Sequence, residues 1–570
     1  MRIKLLYLAI LSIFVTLLLG LVNLQMFRNK EFALLSEKNS IRLLPQAGVR
    51  GKILDRQGNM IVDNTLIYDV MVMPEEVKFN SKSFKRVAQI LNVNTEVLGL
   101  TIRNQYSNTK IPMVIAKNIN IKKAIALEEE RSDLPSLLIQ PHPVRIYPLG
   151  RLAAHLLGYL SEIDHWRLTK LEGYGYKTKD IVGFGGIEEK YDYYLRQEDG
   201  GLSVEVDRKG RFVRVLGFRQ PKSGKNIGLT LDLRIQKIAE EALEGAKGSI
   251  VIMDPFSGEI LAMVSRPNFN PAIFVEKSPS PLYKLFNNPQ APLFNRAISG
   301  LYPAGSTFKL IVAVAGLQSG KIKPNTSFFC NGSLNVGGVD FACWGVHGQQ
   351  DIYQAIAHSC NVFIYRTGLI LGPQLIYDFA SKFGLGKASG IDLPYEAAGL
   401  VPNPLWRRLV KFKSWFSGDT ANLSIGQGEL LVTPLQMTRA IAVFANKGKL
   451  VTPYVLKSVS DKDVSSLQNK SVDLNLKPEV IDVIRQGLRK VANDADGTAN
   501  VLRDLKITVA GKTGTAQTGK GNSHAWFIGF FPYESPKYAI CVFLERGGHG
   551  YYSAIIAKEI IKKMEQEGIL

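Results

Sequence analysis

The sequence feature that most constrains this chain is an uncharged apolar stretch near its N-terminus. Residues Leu5 to Phe27 carry no formal charge, and a helix of that length, rising about 1.5 Å per residue, crosses the roughly 30 Å hydrocarbon layer of a membrane. We interpret residues 1–30 as a cytoplasmic tip and one uncleaved transmembrane anchor. A cleaved signal peptide is the competing interpretation, but its apolar region is shorter, and no Ala-x-Ala-like site precedes Arg28.

The charges around this stretch predict its orientation and the environment of the rest of the chain. Arg2 and Lys4 favour a cytoplasmic N-terminus, although Arg28 and Lys30 flank the other end. No second apolar span follows in the sequence, so we expect a single-pass protein of the inner membrane whose catalytic part is periplasmic. The net charge of +20 indicates an anionic neighbour. On that side of the membrane it is lipid headgroups or cell wall, and nucleic acid is excluded.

The remainder of the chain predicts an α+β protein of two domains. At 570 residues with 46% hydrophobic positions, it is too long for one ordinary domain and too apolar for disorder. Strand-like runs such as Tyr68–Met73 and Met113–Ala116 mix with helical ones such as Ile121–Glu130. We therefore predict an α+β non-catalytic domain at 31–220. The basic, Pro- and Gly-containing segment Arg219–Lys225 is a linker by composition, and a second domain is predicted at 226–570.

The second domain begins and ends with strand-like segments. Gly248–Met253 and Glu259–Val264, joined by a turn, predict a hairpin. The later strands and the C-terminal helix are predicted at Ile507–Ala510, Ala525–Phe530, Tyr538–Leu544 and Ala554–Glu567. Strands at both ends with helices between them indicate one antiparallel sheet covered by helices.

Ser306 and Lys309 form the first of three short polar motifs. Ser306 precedes the apolar run Leu310–Leu317, so we expect it in the first helical turn, where unpaired backbone N–H groups favour a developing oxyanion. Lys309 lies one turn along the same face and can act as a base if burial or a nearby cation lowers its pKa. The competing interpretation is a helix cap followed by a solvated lysine.

Ser359 and Asn361, separated by Cys360, form the second motif. They precede the apolar stretch Val362–Tyr365, so they are either caps of a buried helix or catalytic groups. In the catalytic interpretation, Ser359 passes a proton to a leaving amine and Asn361 donates a hydrogen bond to a substrate amide.

The third motif is Lys512-Thr513-Gly514-Thr515, predicted to continue the strand Ile507–Ala510. Gly514 leaves space for a substrate backbone against a strand edge, and the amine and hydroxyls suit a substrate carboxylate. An ordinary edge strand protected by a lysine is the competing interpretation.

In this order, the three motifs resemble the active-site set of penicillin-binding proteins and β-lactamases. The segments Arg296–Lys309, Ile425–Met437 and Gly511–Gln517 strengthen the resemblance to penicillin-binding proteins. Val49–Gly58 and Gly185–Gly200 are similar to the pedestal of the class B branch, whose dimerisation-type domain is non-catalytic. The resemblance implies a transmembrane helix, an α+β pedestal and a penicillin-binding/β-lactamase-like transpeptidase domain.

Three local segments resemble elongation-type penicillin-binding protein 2 more than the division-type protein. They are Trp344–Gly348, Trp406–Asp419 and His524–Phe527. The resemblance implies a peptidoglycan D,D-transpeptidase that cross-links stem peptides through a Ser306 acyl-enzyme during cell elongation and binds β-lactams covalently.

The same resemblance assigns roles to the motif residues. Backbone N–H groups of Ser306 and Thr515 form the oxyanion hole, and Lys512, Thr513 and Thr515 orient the substrate carboxylate against Gly514. No cofactor is required for the chemistry. The implied partners are stem peptides, β-lactam antibiotics, and a polytopic glycosyltransferase with other elongation-complex proteins.

Three of the four cysteines bracket a histidine close to the second motif. Cys330, Cys343, His347 and Cys360 form a Cys₃His set suited to a structural zinc ion. Their spacing also resembles a zinc-ligand arrangement in some relatives, where acidic residues replace two cysteines. A Cys330–Cys343 disulfide, natural in an oxidising compartment, and core packing of Cys360 remain alternatives.

Other classes of protein share some of these residues. A division-type class B protein and a D,D-carboxypeptidase use the same acyl-enzyme, and sequence does not show what excludes water from it. A β-lactam-sensing receptor is the non-enzymatic alternative, but it normally carries several transmembrane segments and a cytoplasmic output region. A scaffold without catalysis is expected to lose Ser306, Lys309 or Lys512, and all three are present.

Overall fold

A computed structural model describes residues 2–30, 32, 41–74, 77–105, 112–206, 212–276, 279–519 and 521–570. The chain divides into two compact units. Unit 1 comprises residues 1–50, 64–144 and 196–224, and unit 2 comprises residues 51–63, 145–195 and 225–570. Segments 51–63 and 145–195, which the sequence analysis assigned to the non-catalytic domain, therefore belong to unit 2. The predicted domain boundaries remain a prediction, and the predicted domain start at residue 31 lies outside the described residues.

The elements up to residue 224 are short and alternate between helix and strand. In chain order they are α1 (Arg2–Val22), β1 (Ile41–Gln46), β2 (Ile53–Leu54), β3 (Met60–Val72), α2 (Lys82–Leu91), α3 (Thr95–Gln105), β4 (Met113–Ile119), α4 (Ile121–Glu129), β5 (Leu137–Ile146), α5 (Ala154–Leu157), β6 (Tyr159–Glu162), α6 (His165–Leu171), β7 (Ile181–Phe184), α7 (Gly186–Lys190), α8 (Asp192–Leu195), β8 (Gly200–Val206) and β9 (Phe212–Arg219).

The elements from residue 225 onward form most of unit 2. In chain order they are β10 (Ile227–Leu229), α9 (Leu233–Ala242), β11 (Gly248–Met253), β12 (Ile260–Arg266), α10 (Ala272–Glu276), α11 (Pro279–Phe286), α12 (Lys309–Gln318), β13 (Phe328–Cys330), β14 (Ser333–Val336), β15 (Val339–Ala342), β16 (Gly348–Gln350), α13 (Ile352–Ala357), α14 (Asn361–Leu371), α15 (Pro373–Lys382), α16 (Pro404–Lys411), α17 (Ser417–Ser424), α18 (Pro434–Ala445), β17 (Lys449–Val451), β18 (Leu456–Val459), β19 (Lys462–Asp463), α19 (Ser465–Gln468), β20 (Ser471–Asp473), α20 (Pro478–Asn493), β21 (Ala510–Ala516), β22 (His524–Phe531), β23 (Tyr538–Leu544) and α21 (Gly550–Gln566).

The N-terminal helix has the length and composition of a membrane span. α1 continues as a π-helical turn over Asn23–Phe27. The 25 residues Ile3–Phe27 are long and apolar enough to cross a membrane, and none of their most apolar window is buried against the rest of the chain. This matches the predicted anchor.

Unit 1 has its own small apolar core beneath short helices. Ser81 caps α2 by accepting a hydrogen bond from the Phe84 backbone N–H at 3.1 Å, and Asn92 ends the helix in the left-handed conformation. Between these caps, Phe84, Val87 and Leu91 recur at helical spacing and are buried. β1, β8 and β9 form a separate antiparallel sheet in the order β1-β8-β9.

The core of unit 2 is a five-stranded antiparallel sheet with the order β12-β11-β23-β22-β21. Every residue of β11 is buried, as expected for a strand that helices cover on both faces. α9 and α21 pack on the sheet and on each other, and α18 packs on β11, β22 and β23. The predicted α+β class, the β11–β12 hairpin and the covered antiparallel sheet are confirmed.

Several element boundaries differ from the sequence prediction, and the two largest differences in the C-terminal part of the chain are at β21 and α21. Ile507–Val509 are not a strand: pairing with β22 begins at Ala510, opposite Phe530, and the third motif continues the strand from there, as predicted. The C-terminal helix begins at Gly550, four residues earlier than predicted, because His549 acts as its N-cap.

Candidate active site

The first motif lies where a tight turn enters a buried helix. Gly305–Thr307 form a 3₁₀ turn that leads into α12, where Lys309 to Leu317 are all buried. The Thr307 hydroxyl donates to the Ala304 carbonyl at 2.7 Å. Ser306 itself is only half-buried. Ser306 thus lies at the edge of the apolar core, in a 3₁₀ turn just before the α-helix in whose first turn it was expected.

Glycines let this turn approach its neighbours. Gly305 has φ +55° and donates its backbone N–H to the Gly426 carbonyl at 2.9 Å. A Cβ on Gly305 would lie 2.7 Å from the Thr515 carbonyl oxygen, and one on Gly514 would lie 2.9 Å from Thr307 Cγ2. A Cβ on Gly550 would lie 2.5 Å from the Gly514 carbonyl oxygen. We call Gly305, Gly426, Gly514 and Gly550 the glycine column.

The Lys309 amine joins the first motif to the second. Its Nζ donates to the Ser359 carbonyl at 2.7 Å and lies 3.2 Å from Ser359 Oγ. It also donates to Asn361 Oδ1 at 2.5 Å. Burial lowers the pKa of Lys309 to about 8, and the nearby sulfurs of Cys343 and Cys360 oppose that shift. A substantial fraction of the amine is therefore neutral near physiological pH.

The second motif occupies a strained connection between α13 and α14. Ser359 is buried and has φ +54°, an uncommon conformation for a residue with a side chain. Asn361 begins α14, donating its backbone N–H to Cys343 Sγ at 3.1 Å and its side-chain Nδ2 to the Ala342 carbonyl at 3.1 Å. The strain at Ser359 is thus held in place by contacts on its C-terminal side and by Lys309.

The third motif lies on β21, the strand at the end of the sheet order. Lys512 is buried and its Nζ donates to the Thr513 carbonyl at 3.1 Å. Burial and the charge of Lys309 hold the pKa of Lys512 well below its usual value. The Thr515 hydroxyl accepts from the Gly550 backbone N–H at 3.0 Å. The Thr513 hydroxyl lies 2.8 Å from the Thr498 hydroxyl.

The four cysteine and histidine side chains also come together. The ligand atoms of Cys330, Cys343, His347 and Cys360 all lie within 4.8 Å of one another. His347 Nδ1 is 3.6 Å from Cys330 Sγ and 3.5 Å from Cys343 Sγ. A tetrahedral zinc ion with sulfur and nitrogen ligands sets these pairs about 3.6 Å apart.

The cysteines are thiols, as a metal site requires. All four cysteines of the described chain are free, so the alternative of a Cys330–Cys343 disulfide is wrong. The Cys360 thiol donates a hydrogen bond to Cys343 Sγ, which lowers the pKa of Cys343 and raises that of Cys360. His347 Nε2 is buried and finds no hydrogen-bond partner among the described residues. The four side chains are ligand types that zinc prefers, and the two pairs of His347 with Cys330 and Cys343 have the spacing of a tetrahedral site.

Two family models cover this architecture. The penicillin-binding protein transpeptidase domain matches residues 248–565, and the penicillin-binding protein dimerisation domain matches residues 45–229. The chain belongs to the penicillin-binding protein transpeptidase family. Its sheet, pedestal and N-terminal helix are those expected from the resemblance to the class B branch.

Individual relatives show which members of the family this chain is similar to. It is 33% identical to the peptidoglycan D,D-transpeptidase MrdA of Acinetobacter baumannii, over 94% of this chain and 83% of that protein. It is 30% identical to MrdA of Escherichia coli, over 97% of this chain and 92% of that protein. A solved complex of penicillin-binding protein PBP2 and MreC from Helicobacter pylori matches with a TM-score of 0.81 and 30% identity, covering 93% of this chain and 99% of that one.

Most of the side chains around Lys309 were predicted from the sequence, but several of their neighbours were not. Residues from all three motifs meet around Lys309, Lys512 and the Gly305–Thr307 turn. His358, Asp496 and Thr498 also contact motif residues or each other, and none was predicted. The adjacency of His358 to Ser359 and the Asp-Gly-Thr turn at 496–498 were the available signals, and both are common in sequences with no active site.

Proposed function

We propose that this penicillin-binding protein is a serine-type peptidoglycan D,D-transpeptidase that cross-links stem peptides during cell elongation. The observation that carries the proposal is the buried Lys309 amine, which contacts Ser359 and Asn361 one turn from Ser306 and close to Lys512. The names of the relatives, peptidoglycan D,D-transpeptidase and PBP2, support the substrate and the elongation role.

The proposed first step forms an acyl-enzyme. Ser306 Oγ attacks the carbonyl carbon between the two terminal D-alanines, and neutral Lys309 accepts the hydroxyl proton. Backbone N–H groups of Ser306 and Thr515 stabilise the oxyanion. Ser359 passes a proton to the leaving D-alanine amine as the peptide bond breaks. The product is an ester between Ser306 and the shortened stem peptide.

The second step transfers the acyl group to an amine. An amino group of a neighbouring stem attacks the ester, loses a proton, and releases Ser306 with its hydroxyl restored. Asn361 donates to a substrate amide, and Lys512, Thr513 and Thr515 orient the substrate carboxylate. Although Thr513 and Thr515 already hydrogen-bond within the protein, a hydroxyl both donates and accepts, so each retains capacity for substrate.

The chemistry of this family needs no cofactor, and we propose a structural role for a metal in this chain. Cys330, Cys343, His347 and Cys360 hold one zinc ion, which when bound fixes the segment between β13 and α14. Metal analysis of the purified protein is expected to give about one zinc per chain, and a Cys330→Ser, His347→Ala double variant about none. The same low content in both proteins would contradict the assignment.

We also propose that Ile3–Phe27 anchors the protein in the inner membrane with its catalytic part in the periplasm. Two solved structures similar to this chain are a PBP2–MreC complex and a peptidoglycan synthase complex. We propose by similarity that this chain binds an MreC-like protein and a polytopic glycosyltransferase of the elongation machinery.

The experiment that tests the central proposal is intact-mass analysis after incubation with a penicillin. Wild-type protein is expected to gain one penicillin mass and Ser306→Ala none. An adduct on both proteins, or on neither, overturns the assignment. Incubation with pentapeptide-bearing glycan strands then distinguishes the two activities by their products. Cross-linked dimers support a transpeptidase, whereas release of D-alanine without dimers identifies a carboxypeptidase.

A further inference from the structure

His358, immediately before Ser359, has hydrogen-bond acceptors at both ring nitrogens. Its Nδ1 is 2.8 Å from Gln350 Oε1, and its Nε2 is 2.9 Å from Asp496 Oδ2. The Gln350 amide is oriented because its Nε2 donates to the carbonyls of His347 and Gln349 at 2.8 and 3.0 Å. Both ring nitrogens therefore face an acceptor, and Nε2–H donates to the Asp496 carboxylate, whose pKa this hydrogen bond lowers.

Asp496 belongs to a turn that also reaches the third motif. This turn, residues 494–498, follows α20. Thr498 donates its backbone N–H to the Ala357 carbonyl at 3.3 Å, and its hydroxyl lies 2.8 Å from that of Thr513. Thr513 in turn accepts from Lys512 Nζ. The turn therefore contacts both the segment that carries Ser359 and the strand that carries Lys512.

We propose that His358 and Asp496 are positioning residues for acylation. Their pair holds the 494–498 turn against the strained Ser359 connection, and through Thr498 it sets where Thr513 lies relative to Ser359. Without it, the segment that leads into Ser359, a residue with φ +54°, loses its side-chain contact with the 494–498 turn. This inference rests on the proposed function, because the reaction it affects is the acylation of Ser306.

The exposure of the pair separates positioning from simple stabilisation. The Asp496 side chain is 70% exposed, and ion pairs at such sites contribute little to folding stability. Acylation, by contrast, is sensitive to small displacements of groups around the reacting atoms. Loss of the pair should therefore slow acylation while leaving the melting temperature nearly unchanged, whereas a merely structural pair would show the reverse.

The test is stopped-flow acylation of the full chain in detergent by a fluorescent penicillin, resolving noncovalent binding from the acylation rate constant. Asp496→Ala is expected to lower the rate constant about threefold to tenfold, with the same noncovalent affinity and melting temperature. Asp494→Ala is the matched control, because this carboxylate lies in the same turn but pairs with Lys490 at 3.0 Å. It should acylate like wild type. The double variant of His358→Phe and Asp496→Ala should be no slower than the slower single variant.

Each outcome decides the inference separately from the proposed function. Failure of the wild-type protein to acylate, or acylation of Ser306→Ala, overturns the proposed function. Normal wild-type acylation with Asp496→Ala no slower than Asp494→Ala overturns the inference alone. Rate losses that multiply in the double variant also overturn it. If His358→Phe does not fold, the comparison of Asp496→Ala with Asp494→Ala still decides.

Discussion

The two elements that hold Lys309 and its partners are built in opposite ways. α12 carries Lys309 within a helix that is buried from Lys309 to Leu317, so apolar packing fixes its position. The segment from β13 to β16, which contacts the second motif, consists of two short strand pairs with many half-exposed residues. Cysteine, histidine and backbone contacts fix this segment instead. One half of the site therefore depends on the core, and the other on a few polar contacts and the proposed metal.

The largest effect is expected where the two regions meet. Lys309→Met keeps the size and burial of the side chain but removes the amine that contacts Ser359 and Asn361. We expect penicillin acylation to slow by about 10³-fold. Rapid-quench acylation kinetics would measure the loss, with far-ultraviolet circular dichroism as the control for folding. A loss smaller than about tenfold would mean that Lys309 is not the base.

A substitution in the packed helix α12 should change the free energy of unfolding more than the acylation rate. Ile311 lies on α12 and is 1% exposed, so Ile311→Ala is expected to lower the free energy of unfolding by about 3 kcal/mol. Because the remaining helix keeps Lys309 in place, the folded fraction should acylate within about threefold of wild type. Denaturant unfolding together with active-site titration separates the two quantities. A large acylation defect at unchanged stability would contradict the assignment of this region to packing.

A substitution in the polar segment from β13 to β16 should change the acylation rate more than the free energy of unfolding. Cys343→Ser replaces the sulfur that accepts from the Asn361 backbone N–H and that belongs to the proposed metal set. Acylation is expected to slow by about 10- to 100-fold, at least the effect usual for the groups that orient metal ligands, because a proposed ligand itself is replaced. Cys541→Ser, a cysteine buried in β23 away from this set, is the control for cysteine substitution in general. Equal rates for the two variants would remove the distinction between the regions.

The smallest effect is the pH dependence of the shared amine. In the proposed mechanism Lys309 must be neutral to accept the Ser306 proton, and burial lowers its pKa to about 8. The neutral fraction rises with pH, so the acylation rate should increase about fivefold from pH 7 to 8 and less than twofold from pH 8 to 9. Stopped-flow acylation across this range measures it. A rate that falls over the same interval would contradict a neutral-lysine base.

Local patterns predicted the parts of the molecule whose structure is decided locally. The β11–β12 hairpin, β23 and the apolar helix α12 were predicted because apolar runs and the turn between two of them describe these conformations directly. The start of β21 was predicted three residues too early, because an apolar run resembles a strand whether or not it has a partner, and pairing with β22 begins only at Ala510, opposite Phe530. Segments 51–63 and 145–195 belong to unit 2 through contacts made far along the chain, which no window of sequence contains.

The site was predicted to a similar depth. The order of the three motifs identified Ser306, Lys309, Ser359 and Lys512 as candidate catalytic residues, because the residue type of each suggests a chemical role. The contact between Thr498 and Thr513, or between His358 and Asp496, involves common residue types separated by up to 138 positions. Nothing about their immediate neighbours marks them, so only the folded arrangement reveals these pairs.

The glycine column has a consequence for how such a site can change under antibiotic selection. At Gly305, Gly426, Gly514 and Gly550 even a methyl group would overlap backbone or side-chain atoms within 3 Å, so any replacement moves a neighbouring segment. Substitutions there should impair wall synthesis along with drug capture, and bacteria gain nothing from them. Resistant alleles of this gene are thus expected to keep the four glycines and to carry their substitutions at neighbouring positions.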